Sequence, residues 1–214
     1  MKIAIIGKGG HSKVIQDIIS LHSRLKIVAY LDDKYDELSR KEDIFFGPIL
    51  AAEIINDMFK DVKFIIAIGN NKLRRLIVNQ LKLTKESYVT LIHPTATISI
   101  SAKIGCGSVV MAHTVINADT HIGEHTIINT ASVIEHDNQL GDFVHISPNA
   151  TLTGAVKIED GAQVGAGATI IPKIKIGKWS VIGAGATVIH SIPPYCTAVG
   201  VPAIVKNNQL IEGV

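Results

Sequence analysis

Every sixth residue from Ile92 to Val188 is Ile, Leu or Val, and no position breaks the series. Neither the 3.6-residue period of an α-helix nor the two-residue period of a simple strand generates this pattern. A hexapeptide repeat is the mark of a parallel β-helix, in which each short strand forms one side of a coil. Three hexapeptides close a coil, so residues 92–188 make between five and six coils. Two positions before each aliphatic stands a residue that is usually small, such as Ala96, Ser108, Thr114, Thr120, Ser132 or Ala150. Small side chains suit the crowded corners of a narrow triangular prism. Glycine often follows the aliphatic, as at Gly105, Gly123 and Gly141, where the chain must turn tightly.

Residues before His93–Pro94 follow a different grammar. Strands are predicted at Lys2–Ile6, Lys26–Leu31 and Phe64–Ile68, helices at His11–Ser23, Pro48–Phe59 and Lys72–Leu83, and Tyr88–Ile92 closes the unit. Alternating β and α segments imply a parallel sheet with helices on its faces. Ligands of such sheets lie beyond the carboxyl ends of the strands, which here carry Gly7–His11, Asp32–Asp33 and Gly69–Asn71. The expected organisation is a small Rossmann-like α/β domain over 1–92, a β-helix over 93–190 and a tail over 191–214 that caps the open end.

Composition narrows the function. A formal charge of +2, with both signs spread along the chain, lacks the basic stripe of a nucleic-acid binder. No apolar run reaches membrane-spanning length, so no membrane insertion is expected. The apolar start MKIAII runs into a glycine turn without a small-residue cleavage site and reads as a first strand. Cys106 and Cys196 form no disulfide framework, which points to a reducing cytoplasm.

The turn Gly7-Lys8-Gly9-Gly10-His11-Ser12 falls short of the dinucleotide pattern G-x-G-x-x-G, because Ser12 stands at the third glycine position. A phosphate cradle at a helix N-terminus fits it. About 90 residues do not hold two mononucleotide-binding halves, so a nucleoside-diphosphate sugar is favoured over NAD.

The hexapeptide series, closed by Gly200-Val201-Pro202-Ala203, resembles the left-handed parallel β-helix of the hexapeptide-repeat acyltransferases. The preceding GKGGHSK, the Leu31-Asp32-Asp33 and Ala67–Asn71 segments and Leu91–Ala96 are similar to the sugar acyltransferases that O-acetylate sialic acids or N-acetylate nucleotide sugars in bacillosamine synthesis. The resemblance implies a homotrimer with acetyl-CoA between neighbouring prisms, and thioester chemistry requires no metal. It places a histidine general base at His136 within Asn129–Asp137, with Asp137 as its acidic neighbour and Asn129 on the substrate side. It assigns His145, Gly154, Ala166 and Ala184 to acetyl-CoA, and Gly10, His11, Asp32 and Asp33 to the nucleotide sugar. Where relatives carry Lys or Arg directly after the GVPA segment, this chain has Ile204, and its first cation there is Lys206.

The residues allow that chemistry on their own terms. An acceptor attacking a thioester must lose a proton, and histidine, with a reference pKa near 6.5, suits the task. A carboxylate beside it fixes the tautomer. Strand alternation would turn Glu135 and Asp137 away from His136, so an acid reaches it only through a turn. The oxyanion needs a donor, and a glycine N–H such as that of Gly154 permits close approach. The activity that the resemblance implies is acetyl-CoA-dependent N-acetylation of a nucleotide-linked amino sugar, with UDP-4-amino-4,6-dideoxy-N-acetylglucosamine as the expected acceptor, for glycan or exopolysaccharide synthesis. O-acetylation of a sialic acid is the alternative. A zinc hydratase would need His113, His136 and His145 to converge, and a non-catalytic scaffold of polysaccharide assembly would show no acetyl transfer.

Overall fold

The computed structural model describes residues 1–208, in two compact units divided between Leu91 and Ile92. The first unit contains β1 (Lys2–Ile6), α1 (Gly10–Ser20), β2 (Lys26–Leu31), β3 (Ser39–Lys41), β4 (Ile44–Gly47), α2 (Ala52–Met58), β5 (Val62–Ile66) and α3 (Asn71–Leu81). Its sheet runs β3-β4-β2-β1-β5, parallel except for the β3–β4 hairpin. Consecutive residues of β1 are buried because helices cover both faces of a parallel sheet. The core joins Ala4, Ile6, Leu31, Ile55, Phe64 and Ile77 across strands and helices.

Several predicted boundaries shift. α1 begins at Gly10 and ends at Ser20; α3 spans Asn71–Leu81, where Asn70 caps Leu73 N–H at 2.9 Å. The helix expected over Pro48–Phe59 is a 3-10 turn, Ile49–Ala51, followed by α2. The strand expected at Phe64–Ile68 is Val62–Ile66. Tyr88 bridges Phe64, whereas Leu91–Ile92 starts the prism instead of closing the first unit.

The second unit is the parallel β-helix that the six-residue period predicts, left-handed as the resemblance implies. Its two-residue strands stack into three sheets with an in-register step of 18 residues. Face 1 includes Val109–Val110, Ile127–Ile128 and His145–Ile146. Face 2 includes Val115–Ile116, Val133–Ile134 and Thr151–Leu152. Face 3 includes His121–Ile122, Gln139–Leu140 and Lys157–Ile158. The repeating aliphatics Ile116, Ile128, Ile134, Ile146 and Ile170 are wholly buried inside. On faces 2 and 3 the residue before each aliphatic is partly or fully exposed. On face 2 these are Thr97, Val115, Val133, Thr151, Thr169 and Thr187, a neutral series; on face 3 they include Lys103, His121, Lys157 and Lys175. After the last coil, Cys196–Val199 adds to face 1 and Ile204–Asn208 returns antiparallel to it. The expected tail beyond Asn208 lies outside the described residues.

Candidate active site

His136 and Asp137 occupy the corner between faces 2 and 3, just after Val133–Ile134. Asp137 adopts φ +61, and this left-handed residue folds the corner back on itself. The strand rule that would have separated the two side chains therefore does not apply. His136 Nδ1 lies 2.7 Å from Asp137 Oδ2. A carboxylate accepts and does not donate, so Nδ1 carries the hydrogen and the Nε2 lone pair is available as a base. Glu135 is engaged elsewhere, accepting from Asn117 Nδ2 at 2.9 Å.

Gly154 stands 18 residues beyond His136, at the same corner one coil later. A Cβ on it would lie 2.6 Å from His136 Cε1 and 2.7 Å from Nε2, so the imidazole rests directly over its Cα. Its carbonyl accepts from Lys173 N–H, whereas its own N–H makes no hydrogen bond among the described residues. A base and an open backbone donor thus sit beside each other at one corner.

The opposite edge of face 2 carries the second histidine site. His145 begins its face 1 strand, and its Nε2 lies 3.2 Å from Asn129 Nδ2. Thr130 N–H donates to Asn129 Oδ1 at 2.8 Å, which fixes the amide with its NH2 toward the ring and makes His145 Nε2 the acceptor. Ala166 and Ala184 are exposed on this edge, each followed by a glycine of positive φ with open space where a Cβ would be. Within one chain, His136 and His145 occupy different edges of the prism and do not converge.

The zinc set fares no better, because His113, His136 and His145 form no cluster. Among the described residues, the group with metal-ligand proximity is Cys106, Glu124 and His125, whose ligand atoms lie within 4.8 Å of one another. It occupies the corner between faces 3 and 1, where His125 stacks on Phe143 at 5.3 Å. An open depression of about 320 Å³ on face 3, lined by Gln139, Lys157, Glu159, Asp160 and Lys178 among others, also lies apart from the two histidine edges. The ion pairs Lys175–Glu159 and Lys178–Asp160 lie beside it, as in a solvated charged surface.

The first unit presents its own candidates at the carboxyl edge of its sheet. Gly7 has φ +95, and a Cβ there would meet Ile68 Cγ1 at 2.8 Å, so this position admits glycine alone. Asp32 accepts Lys8 N–H at 2.6 Å and Lys34 N–H at 3.1 Å, bracing the glycine turn. Asp33 accepts Ile49 N–H at 3.0 Å. Both carboxylates thus shape the loops around the edge. Gly10 is exposed, and beyond its chain neighbours and its own helix backbone no atom lies within 4 Å of where a Cβ on it would stand, leaving room for a ligand at the start of α1. Lys8 Nζ lies 4.5 Å from the Tyr30 ring and 4.4 Å from that of Phe46.

His11, in the first turn of α1, has its pKa lowered to about 4, first by burial and then by the positive charge of Arg74. It is neutral near pH 7, and its buried Nε2 has no hydrogen-bond partner among the described residues. Arg74 escaped the sequence reading. Its guanidinium is buried, donates to Ile68 O, Gly69 O and Asn71 Oδ1 at 2.8–3.2 Å, and has its pKa lowered to about 10 by that burial. The signal was helical phase: Arg74 shares the buried stripe of α3 with Asn71, Ile77 and Leu81.

Comparison with known proteins accounts for both units. Residues 2–81 match the PglD N-terminal domain, and residues 155–190 match the bacterial transferase hexapeptide of six repeats. A perosamine N-acetyltransferase from Caulobacter crescentus, solved with CoA and GDP-perosamine, is 33% identical, with a TM-score of 0.87 over 97% of both chains. The chain belongs to the hexapeptide-repeat sugar acyltransferase family. The acetyltransferase domain of PglB from Neisseria gonorrhoeae FA1090, solved with acetyl coenzyme A, is 35% identical, with a TM-score of 0.83 over 96% of this chain and 98% of that one. UDP-N-acetylbacillosamine N-acetyltransferase of Bacillus subtilis strain 168 is 49% identical over 110 residues, which is 51% of each chain. The match therefore spans about half the length of that curated relative. Among the described residues of this family member, no helix is long and apolar enough to cross a membrane.

Proposed function

We propose that this chain transfers an acetyl group from acetyl-CoA to the amino group of a nucleotide-linked sugar, with UDP-4-amino-4,6-dideoxy-N-acetylglucosamine as the favoured acceptor. The observation that carries the reading is the corner at which His136 Nε2, held by Asp137 through Nδ1, lies over Gly154. The sugar amine attacks the thioester carbonyl and passes its proton to His136 Nε2. Asp137 stabilises the imidazolium that forms. Gly154 N–H receives the oxyanion. Collapse forms the amide, breaks the C–S bond and returns the proton to the departing CoA sulfur. No step calls for a metal or an acyl-enzyme.

The same reading includes a homotrimer. Face 2 is neutral and is bounded by the His136 edge on one side and the Asn129–His145 edge on the other. With face 2 turned to a three-fold axis, the His136 edge of each prism meets the Asn129–His145 edge of its neighbour. Acetyl-CoA then runs between them along the small residues Ala166 and Ala184. The nucleotide is assigned to the first unit, where Gly10 leaves space and His11, Asp32 and Asp33 surround the glycine turn. Amine acceptors are favoured over hydroxyls because the named relatives are N-acetyltransferases. Two Caulobacter structures with one histidine replaced, by Asn or by Ala, hold CoA and GDP-perosamine, which fits a histidine whose loss leaves binding intact.

The test is acetyl-CoA turnover on UDP- and GDP-linked 4-amino sugars and on free sialic acids, with product masses recorded. One added acetyl group on the amine of a nucleotide sugar is expected. His136→Ala should lose most turnover while the trimer and acetyl-CoA binding persist. Acetylation confined to a sialic acid hydroxyl, or near-normal turnover of His136→Ala, would refute the reading.

A further inference from the structure

The column of small corner residues is interrupted beside His136. Ser108, Thr114, Thr120 and Thr126 each donate a hydroxyl to the carbonyl 15 residues further on, at 2.9–3.2 Å. The next coil after Thr120 carries Asn138 at that position, wholly buried. Its Nδ2 donates to Thr153 O at 2.9 Å, which repeats the pattern, and also to Glu135 O at 2.6 Å, with His136 O at 3.3 Å. A hydroxyl has one hydrogen to give and an amide NH2 has two. Asparagine can therefore hold two carbonyls at once, one on each of two successive coils.

Those two carbonyls belong to informative peptide groups. Glu135 C=O shares its planar peptide with the N–H of His136, and Thr153 C=O shares its own with the N–H of Gly154. In a trans peptide the carbonyl and the N–H point in opposite directions. Drawing Thr153 O inward to a buried amide aims Gly154 N–H outward, away from the core of the coil. Drawing Glu135 O to the same nitrogen ties the start of the His136 corner to the same anchor. The arrangement has a cost, since Asn138 Oδ1 is buried without a partner among the described residues. An unmet buried acceptor is unfavourable, and the hydroxyl or alanine used at neighbouring corners would avoid it. Such costs are tolerated where function requires them.

We propose that Asn138 is a positioning residue for acetyl transfer, setting the direction of Gly154 N–H and its distance from the His136 base. The inference rests on the site assigned under Proposed function. Asn138→Thr keeps a single hydroxyl for Thr153 O and leaves Glu135 O to the Thr120 hydroxyl alone, which loosens the His136 corner. Asn138→Val has nearly the same shape as threonine, frees Thr153 O entirely and leaves Glu135 O to Thr120 alone. The assay is steady-state turnover with saturation curves for acetyl-CoA and the amino sugar, beside thermal unfolding and trimer mass. For Asn138→Thr, kcat should fall roughly tenfold while both KM values stay within about twofold and Tm within a few degrees. Asn138→Val should fall further in kcat. A role in packing alone would lower Tm without splitting kcat from KM. If His136→Ala is inactive while Asn138→Thr keeps kcat within about twofold of the parent, the positioning role is refuted and the base assignment stands. If His136→Ala turns over normally, the site assignment fails first and the positioning role falls with it.

Discussion

Adding a single methyl group at Gly154 isolates the contact on which the proposed chemistry depends. In Gly154→Ala the new Cβ would lie 2.6 Å from His136 Cε1 and 2.7 Å from Nε2. Ordinary carbon contacts begin near about 3.5 Å, so the ring must retreat by about 1 Å. The backbone of Gly154 is outside the left-handed region, so alanine adds no strain there. The retreat has an easy route, because the His136 side chain is 63% exposed and can swing into solvent. Stability should therefore change by no more than about 0.5 kcal/mol, as for most surface substitutions. Activity should not escape so lightly. A misplacement of about 1 Å costs on the order of 100-fold in rate, or about 2.7 kcal/mol of barrier. Release of the CoA thiol from acetyl-CoA, followed with a thiol reagent, measures it directly. A double-mutant cycle sharpens the test: with His136→Ala already in place, Gly154→Ala should cost less than about threefold more, since no ring remains to displace. Turnover within threefold of the parent would refute the reasoning, and a collapse of Tm would show that the glycine serves the coil instead of the base.

Two further outcomes follow from burial. His11 has a folded pKa of about 4 against 6.5 when free. The unfolded chain therefore takes up the proton first, and stability that is complete above pH 6.5 is lost as pH falls, by about 3 kcal/mol near pH 4. Urea midpoints of the first unit should fall across that window and flatten in His11→Asn; an unchanged slope would exclude His11 as the cause. Ile146 is wholly buried in the prism, and Ile146→Ala should cost about 2–5 kcal/mol, seen as a lower Tm of the β-helix with its far-ultraviolet spectrum retained. An unaltered Tm would mean that the coil closes around the missing side chain.

The period of six predicted the prism because side chains inside a narrow coil leave no choice but aliphatics at each strand. It also held the position of Gly154, since adding one 18-residue coil to His136 leads straight to it. What the period did not carry was the conformation of the corner. The two-residue alternation of a strand separates His136 from Asp137, whereas the left-handed φ of Asp137 brings them to 2.7 Å. The β3–β4 hairpin went unseen because Ser39, Arg40 and Lys41 are all exposed and show no apolar alternation. Arg74 went unseen because a cation on a helix is ordinarily solvated, and only its phase with Ile77 and Leu81 marked it as inward. Asp32 and Asp33 read as ligand contacts from their place at a strand end. The structure adds the backbone N–H groups that they hold, a local duty invisible in residue type alone.

The hydrogen bond between His136 and Asp137 joins neighbours in the chain, unlike acid–base pairs that a fold must gather from distant segments. Its geometry comes from a corner that recurs every six residues, with a left-handed residue also at Asp119, Ala131, Asn149 and Ala155. The dyad is thus a portable unit, and two adjacent substitutions would install it at another turn of the prism. Location is decided by the floor it needs, a glycine one coil along. New sites can arise in this architecture by moving a dipeptide along a ruler, leaving the core that holds the ruler straight untouched.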